Sequence, residues 1–393
     1  MITTILPLKN QLEVDSSYSA ISDEVINGQV RFACCTHMPQ KPAVIYNLDV
    51  LKNTIKRISD TNLVIPEAHI HGKIHTSIVT DKEQISYCAT HFAYPYGIPQ
   101  PFSYPGSRLV AIDQIGKAND LGLVKANNGT INLAIDQRRS LIYLLTIPDA
   151  SLIQYDIKNA VFKDLGDIPS STAVSRNLAI DKDGNVFGCY EGGGLFIYRH
   201  DKEKLELHDK FLPEPQSEQW NSVSRGGVNK LDRSMWRSFY YCPKREKFFG
   251  LLSSESRAFS LDPLNLDIVL GEEVFSRQTP SIRKTNIFPT LSVAEEENNL
   301  YYASSIGLFD YNRTEHAVGF SHLVKISKDT LTSDDLGEIT DGKRRVYGIM
   351  TATFIDGEYI AVGAVERLED EPHNTFNIID QKPFVIAIIR IRV

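Results

Sequence analysis

Short apolar runs of about five residues, each built round an aromatic and separated by polar turns, recur along the chain. Seven stand out: Val30-Arg-Phe-Ala-Cys, Ile85-Ser-Tyr-Cys-Ala, Leu141-Ile-Tyr-Leu-Leu, Val186-Phe-Gly-Cys-Tyr, Phe248-Phe-Gly-Leu-Leu, Leu300-Tyr-Tyr-Ala-Ser and Tyr359-Ile-Ala-Val. Their aromatics, Phe32, Tyr87, Tyr143, Phe187, Phe249, Tyr301 and Tyr359, fall 55, 56, 44, 62, 52 and 58 residues apart. Self-similarity at such a period marks a repeat architecture.

The surroundings of each run define the unit. From the second run onward a strand ending in a turn comes first, as in Thr76-Ser-Ile-Val-Thr-Asp, Leu133-Ala-Ile-Asp, Leu178-Ala-Ile-Asp, Leu291-Ser-Val-Ala and Ala352-Thr-Phe-Ile-Asp-Gly. A further strand and an Asp-Leu-Gly ending often follow, as from Leu109 to Asp120-Leu-Gly, from Leu152 to Asp164-Leu-Gly and from Leu323 to Asp335-Leu-Gly. Strands joined in this order by tight turns make one four-stranded antiparallel blade.

Seven blades of about 56 residues account for all 393, so the sequence predicts an all-β, seven-bladed β-propeller forming a single domain over residues 1–393. No stretch of 10–15 residues carries helical periodicity, and the 24 Gly and 18 Pro are spread among turns instead of marking a linker. The last blade has strands at 352–355, 359–365 and 384–391 and nothing left after them. Residues 3–8 are therefore expected to supply its fourth strand, pairing the two chain ends and closing the ring.

Charge and composition narrow the partners. Acidic residues outnumber basic ones 49 to 42, net −7, and no block of Lys and Arg is long enough to track a phosphate backbone, which argues against nucleic acid and anionic membranes. The longest uncharged apolar run, residues 384–389, is far short of a membrane span. The start has no basic segment followed by an apolar stretch and cleavage site, so a cytoplasmic protein is expected unless a leader has been removed. Cys34, Cys35, Cys88, Cys189 and Cys242 sit in apolar runs without metal-ligand spacing and read as reduced, buried small hydrophobes.

Four of the ten histidines, His69, His71, His75 and His91, lie in Ala68-His-Ile-His-Gly-Lys-Ile-His-Thr and Ala89-Thr-His-Phe. If residues 72–80 form an innermost strand and 84–90 return antiparallel, His71 and His91 finish at one end of one hairpin. Alternation along a strand would put His71, Lys73 and His75 on one face. Cys35-Thr36-His37 matches Ala89-Thr90-His91 and places another imidazole at the same rim. A His near a strand end is commonly a satisfied structural residue; two at one end with a third next door bring catalysis level with that reading. His-x-His plus His without a nearby Asp, Glu or Cys is a poor zinc set, so no metal ligands are assigned.

Equivalent strand ends supply further rim candidates. Asn128 takes the slot of His71 in the next blade, Arg176 precedes the fourth blade's innermost strand, and Tyr190 ends its second strand. The 212–237 insertion carries Trp220, Trp236, Arg225, Arg233 and Arg237, while Arg283, Arg345 and Tyr347 lead into later blades. Aromatic planes beside guanidinium groups suit a sugar acid, whose ring stacks while its carboxylate takes a bidentate fork. Equally, such a Trp can pin an ordinary loop whose Arg is solvated. The Pro-rich run from Phe92 to Gly106 brings Tyr94, Tyr96 and Tyr104 near His91, as pocket lining or as a stiff crossing.

The string His71-Gly-Lys-Ile-His-Thr, then Ala89-Thr-His-Phe, Tyr104-Pro-Gly-Ser-Arg-Leu-Val-Ala-Ile-Asp and Asp120-Leu-Gly resembles the seven-bladed propeller polysaccharide lyases, the group of ulvan lyases and fungal rhamnosyl-glucuronate lyases. The likeness is clearest over residues 65–200. It implies β-elimination at a uronic acid in an oligo- or polysaccharide: donors hold the carboxylate and acidify the C5 proton, a His or Tyr removes it, and the C4–O bond breaks with protonation of the leaving group. Carried over, His71 is the base, His91 the carboxylate partner and Arg176 the neutralising cation. His37, His75, Asn128, Trp236, Arg237, Arg283 and Tyr347 complete the expected substrate rim. No cofactor is required, and there is room for a structural divalent cation in or near the central channel.

The departure is the family tyrosine. Where the third blade's second strand should end in one, this chain reads Leu145-Thr-Ile-Pro, leaving Tyr190 or a tyrosine of the 92–104 run to replace it. Two other functions fit the pattern: a propeller glycoside hydrolase removing rhamnose from glucuronate with a single His, although no carboxylate pair stands out, and a non-catalytic propeller binding a glycan or protein on its rim.

Overall fold

The computed structural model describes residues 1–8, 14, 16, 17, 20–36, 41–65, 71–92, 104–170, 177–213, 235–252, 257–274, 293–303, 320–369, 371 and 384–393. They form seven antiparallel sheets arranged as the blades of one β-propeller. From inner to outer edge, the third blade is Gly129–Asp136, Leu141–Ile147, Ser151–Asp156 and Val161–Asp167. The fourth is Ala179–Ile180, Val186–Tyr190, Gly194–Arg199 and Lys204–His208. Trp236–Cys242, Lys247–Leu252, Arg257–Leu261 and Ile268–Glu273 make the fifth. Val293–Glu295, Asn299–Ala303, His322–Ser327 and Ser333–Glu338 make the sixth. In the first blade, Gln29–Cys34, Val44–Asp49 and Thr54–Asp60 are continuous, and bridges from Ser16 to Cys35 and Ile21 to Phe32 occupy the innermost position. Helix among the described residues is limited to the single turn Thr61–Val64, capped by the Asp60 carboxylate on Leu63 N at 3.1 Å, and the 3-10 turn Glu191–Gly193. None of it is long and apolar enough to cross a membrane.

The seventh blade combines Val346–Ile355, Glu358–Glu366 and Phe384–Arg392 with the chain's first strand, Ile2–Pro7. The terminal strands pair antiparallel from Ile2 opposite Arg392 to Pro7 opposite Ala387, and Leu8 N adds a hydrogen bond to Ile386 O at 2.9 Å. The ring is closed as the sequence predicts.

All seven aromatic anchors are buried on the second strand of their blade, which explains why they recur: each fills a seam between blades. The apolar core is divided into seven clusters, one per seam. Burying one such side chain contributes about 1.5–3 kcal/mol, so the stabilising surface is shared round the ring. Tyr87, Tyr143, Phe187, Phe249 and Tyr301 pack into the seam with the following blade, whereas Phe32 and Tyr359 face the preceding one. Because strand side chains alternate, a one-residue offset in the run moves the ring to the opposite seam. Arg31, fully buried, crosses from the first blade to the second, donating from Nη1 to Ser86 Oγ and Ile112 O at 2.8 Å each.

The Asp-Leu-Gly endings are bulges in outermost strands. At Gly122, Gly166 and Gly337 φ is 127°, 118° and 104°, a region that favours glycine, and each amide donates to the preceding Asp Oδ1 at 2.9, 2.9 and 2.8 Å. The register shifts at each of them. A base then meets the Asp, from the same blade in Arg108 on Asp120 and His322 Nδ1 on Asp335 at 3.0 Å, and from the preceding blade in Lys125 near Asp164 at 3.7 Å. The hydrogen bond to Asp335 raises the His322 pKa above 6.5. A raised imidazole pKa gives stability that is fully present below 6.5 and lost as pH rises through the folded value. His322→Ala should thus lower the melting temperature at pH 6 and have little effect at pH 9; equal losses at both would contradict this pairing.

Candidate functional site

The second blade carries the histidines. Its inner edge is two short pieces, Lys73–Ile74 and Val79–Thr80, both paired with Ser86–His91, followed by Gly106–Ile112 and Ala118–Ala126. The continuous inner strand expected over 72–80 is thus interrupted at 75–78. There Thr76 Oγ1 accepts the Ala89 amide at 3.0 Å, a side chain replacing a ladder carbonyl. The regular alternation that would have put His71, Lys73 and His75 on one face stops at that break.

Lys73 lies opposite His91, which brings His71 to the same end of the hairpin as His91. The backbone around His71 is stitched to the first blade, with Thr61 Oγ1 donating to His71 O at 3.0 Å and Thr36 N to Gly72 O at 3.1 Å. Tyr104, entering the third strand, has its hydroxyl 3.0 Å from His71 Nδ1, and the two rings meet edge to face at 5.2 Å. Phe92 links the halves, 5.4 Å from Tyr104 and stacked on His91 at 4.0 Å and 29°. His75 meets His91 at 5.3 Å. The result is a contiguous series, His71, Tyr104, Phe92, His91, His75, in which His71 is fully buried while Tyr104, His75 and His91 keep 5%, 7% and 7% of their surface. A phenol hydrogen-bonded to an imidazole shares one proton between two groups that each accept or donate it, the minimum equipment for general acid–base chemistry.

The other expected rim residues fall elsewhere. Asn128 is fully buried and braces a turn: its Nδ2 donates to Ala126 O at 2.9 Å and Asp149 Oδ2 at 3.0 Å, and its Oδ1 accepts the Asp149 amide at 2.8 Å. Tyr190 belongs to the seam between the third and fourth blades and donates to Asp209 Oδ1 at 2.6 Å. Burial and that carboxylate push its pKa up, keeping it a neutral donor and a poor base. Trp236 is fully buried between the fourth and fifth blades, stacked on Phe239 at 4.0 Å with Nε1 on Asn177 O at 3.1 Å, and so presents no ring to a sugar. Tyr347 is also buried, stacked at 5.6 Å on Phe320, over whose ring the Arg345 guanidinium lies at 3.4 Å. His37, Arg176, Arg283 and the Arg237 side chain lie outside the described residues.

The innermost edges enclose a channel cavity of about 180 Å³ reached by Asp23, Ser77, Tyr240 and Glu295. Desolvation by the enclosing channel walls raises the Asp23 pKa to about 6, helped by the neighbouring Glu24 and Glu295 carboxylates, and burial raises Glu295, whose carboxylate holds Lys328. Among the described residues no three His, Cys, Asp or Glu gather within reach of one metal ion, and the described carboxyls lining this channel are those of Asp23 and Glu295. A carboxyl with a raised folded pKa costs stability as pH climbs from 3.8 to about 6, and the cost is constant above that. Converting the whole shift gives about 3 kcal/mol; because the Asp23 side chain is exposed in the channel, about 1 kcal/mol is expected. Asp23→Asn should therefore raise the melting temperature at pH 7.5 and leave it unchanged at pH 3.5, while a destabilised variant at pH 7.5 would contradict this.

No protein-family model and no curated protein matches this chain. Solved structures resemble it over nearly its whole length at low identity. U3-55K aligns with a TM-score of 0.60 and 10% identity over 99% of this chain and 98% of the other. YCF48 bound to D1 peptide aligns with a TM-score of 0.56 and 10% identity over 100% and 97%, and YCF48 from Cyanidioschyzon merolae with 0.56 and 8% over 100% and 99%. At such identities the likeness shows the propeller fold alone.

Proposed function

We propose that the protein is a lyase that cleaves a glycosidic bond to a uronic acid by β-elimination, with its chemistry at His71, Tyr104 and His91. The observation that carries this reading is the 3.0 Å hydrogen bond between the Tyr104 hydroxyl and His71 Nδ1 at the hairpin end that also holds His91 and His75. Tyr104 takes the part expected of a family tyrosine, and His71 stands behind it. In the elimination, Tyr104 removes the C5 proton as its own proton passes to His71; the C5–H electron pair forms the C4–C5 double bond and the C4–O bond breaks. The leaving oxygen then recovers the proton through Tyr104, so the pair ends as it began. His91 is the donor that meets the carboxylate and stabilises charge as it develops at C5.

Incubation with uronate-containing oligosaccharides, followed by the ultraviolet absorbance of the unsaturated uronate, tests this directly. Rising absorbance supports elimination. Release of sugar without absorbance indicates a hydrolase of the rhamnose–glucuronate kind. The second reading is a non-catalytic propeller that binds a peptide or glycan on its rim; its support is the fold likeness to propellers such as the one solved with D1 peptide. Binding without any product would favour it.

A further inference from the structure

Gly129 opens the innermost strand of the third blade, and its backbone lies against the imidazole of His91 from the second. A Cβ at Gly129 would fall 2.0 Å from His91 Nδ1, 2.6 Å from Cε1 and 3.0 Å from Cγ. All three belong to one rigid imidazole, so the whole ring would have to turn or shift to make room. Phe92 stacks on the ring at 4.0 Å and His75 packs at 5.3 Å, which limits where the ring could go. The place of Gly129 is set in turn by Asn128, through its three side-chain hydrogen bonds and a fourth from Ser107 N to Asn128 O at 2.7 Å.

We infer that Gly129, fixed by Asn128, is a positioning residue for His91: the neighbouring blade supplies a side-chain-free wall that sets the imidazole where it meets the substrate. This rests on His91 being the carboxylate donor, and it gives Asn128 an indirect role in the site, through backbone placement instead of substrate contact. Gly129 does not occupy the positive-φ region, so alanine there is resisted by the His91 ring and not by the backbone.

The test compares Gly129→Ala, His91→Ala and the double variant. Gly129→Ala should lower the melting temperature by several degrees in the wild-type background and leave it unchanged in His91→Ala, where the ring is gone. In the single variant the imidazole resonances of His91 should move while those of His322 stay in place. Elimination should slow on the order of 10²-fold, as expected for a misplaced group, with no further loss when Gly129→Ala is added to His91→Ala. A Gly129→Ala chain too unstable to study should regain the His91→Ala melt in the double variant. Equal destabilisation in both backgrounds, or unmoved His91 resonances, would overturn the inference. If the wild type eliminates nothing, the functional proposal fails, and the melting and resonance comparisons still decide the role of Gly129.

Discussion

His71→Ala should lower the rate of uronate elimination by about 10²–10⁴-fold, the usual contribution of a positioned acid–base group, with a far smaller effect on KM. Tyr104→Phe should fall in the same range, because it removes the other end of the shared proton while keeping the ring that packs on Phe92. If the two act as one relay, the double variant loses little more than either single one. His71 is fully buried, so alanine also leaves a cavity; His71→Gln preserves volume and should be as inactive with a near-normal melt. Wild-type rates in Tyr104→Phe would remove the tyrosine from the chemistry.

The second large effect is on the fold. Deleting residues 1–8 removes the strand that pairs with Phe384–Arg392 and exposes the apolar face it covers. Ile5 and Leu8 are 8% and 6% exposed in the closed ring. At about 1.5–3 kcal/mol each, plus the lost ladder, the cost is about 5 kcal/mol and the melting temperature should fall by about 6 °C. Closure in a propeller is cooperative, since every blade leans on two neighbours and an opened ring breaks one seam and bares two blade faces. An unchanged melt would show that the terminal strand contributes nothing.

These two expectations differ in how far the sequence supports them. The aromatic period reads the blades directly because every anchor fills a seam, and a seam recurs once per blade. The Asp-Leu-Gly motif is equally legible, since only a glycine with positive φ after an amide-accepting Asp makes that bulge so compactly. Phe32 and Tyr359 show where periodicity stops being informative: the run is visible, but which seam its ring enters depends on a one-residue offset.

The site divides along the same line. His71 and His91 lie at one hairpin end because strand pairing is a local property of the repeat. The break at 75–78 is invisible to alternation, because it depends on the Thr76 hydroxyl replacing a carbonyl in the ladder. Asn128 shares a slot with His71, yet its partner is Asp149 across the next hairpin, a contact that position in the blade does not reveal. Tyr190 and Trp236 sit at plausible rim positions in sequence, but Asp209 and Phe239 draw their side chains into the seams. Tyr104 was one of several tyrosines in a Pro-rich run, and what distinguishes it is one hydrogen bond to a residue 33 positions earlier.

The most direct test of the elimination chemistry is digestion of a uronate-containing oligosaccharide in water enriched in heavy oxygen, with products followed by mass spectrometry. Elimination breaks the C4–O bond without adding water, so the account predicts an ultraviolet-absorbing uronate lighter by one water than the hydrolytic product, and no heavy oxygen in either fragment at the cleaved bond. Heavy oxygen at that bond, or bound oligosaccharide recovered intact, would contradict it.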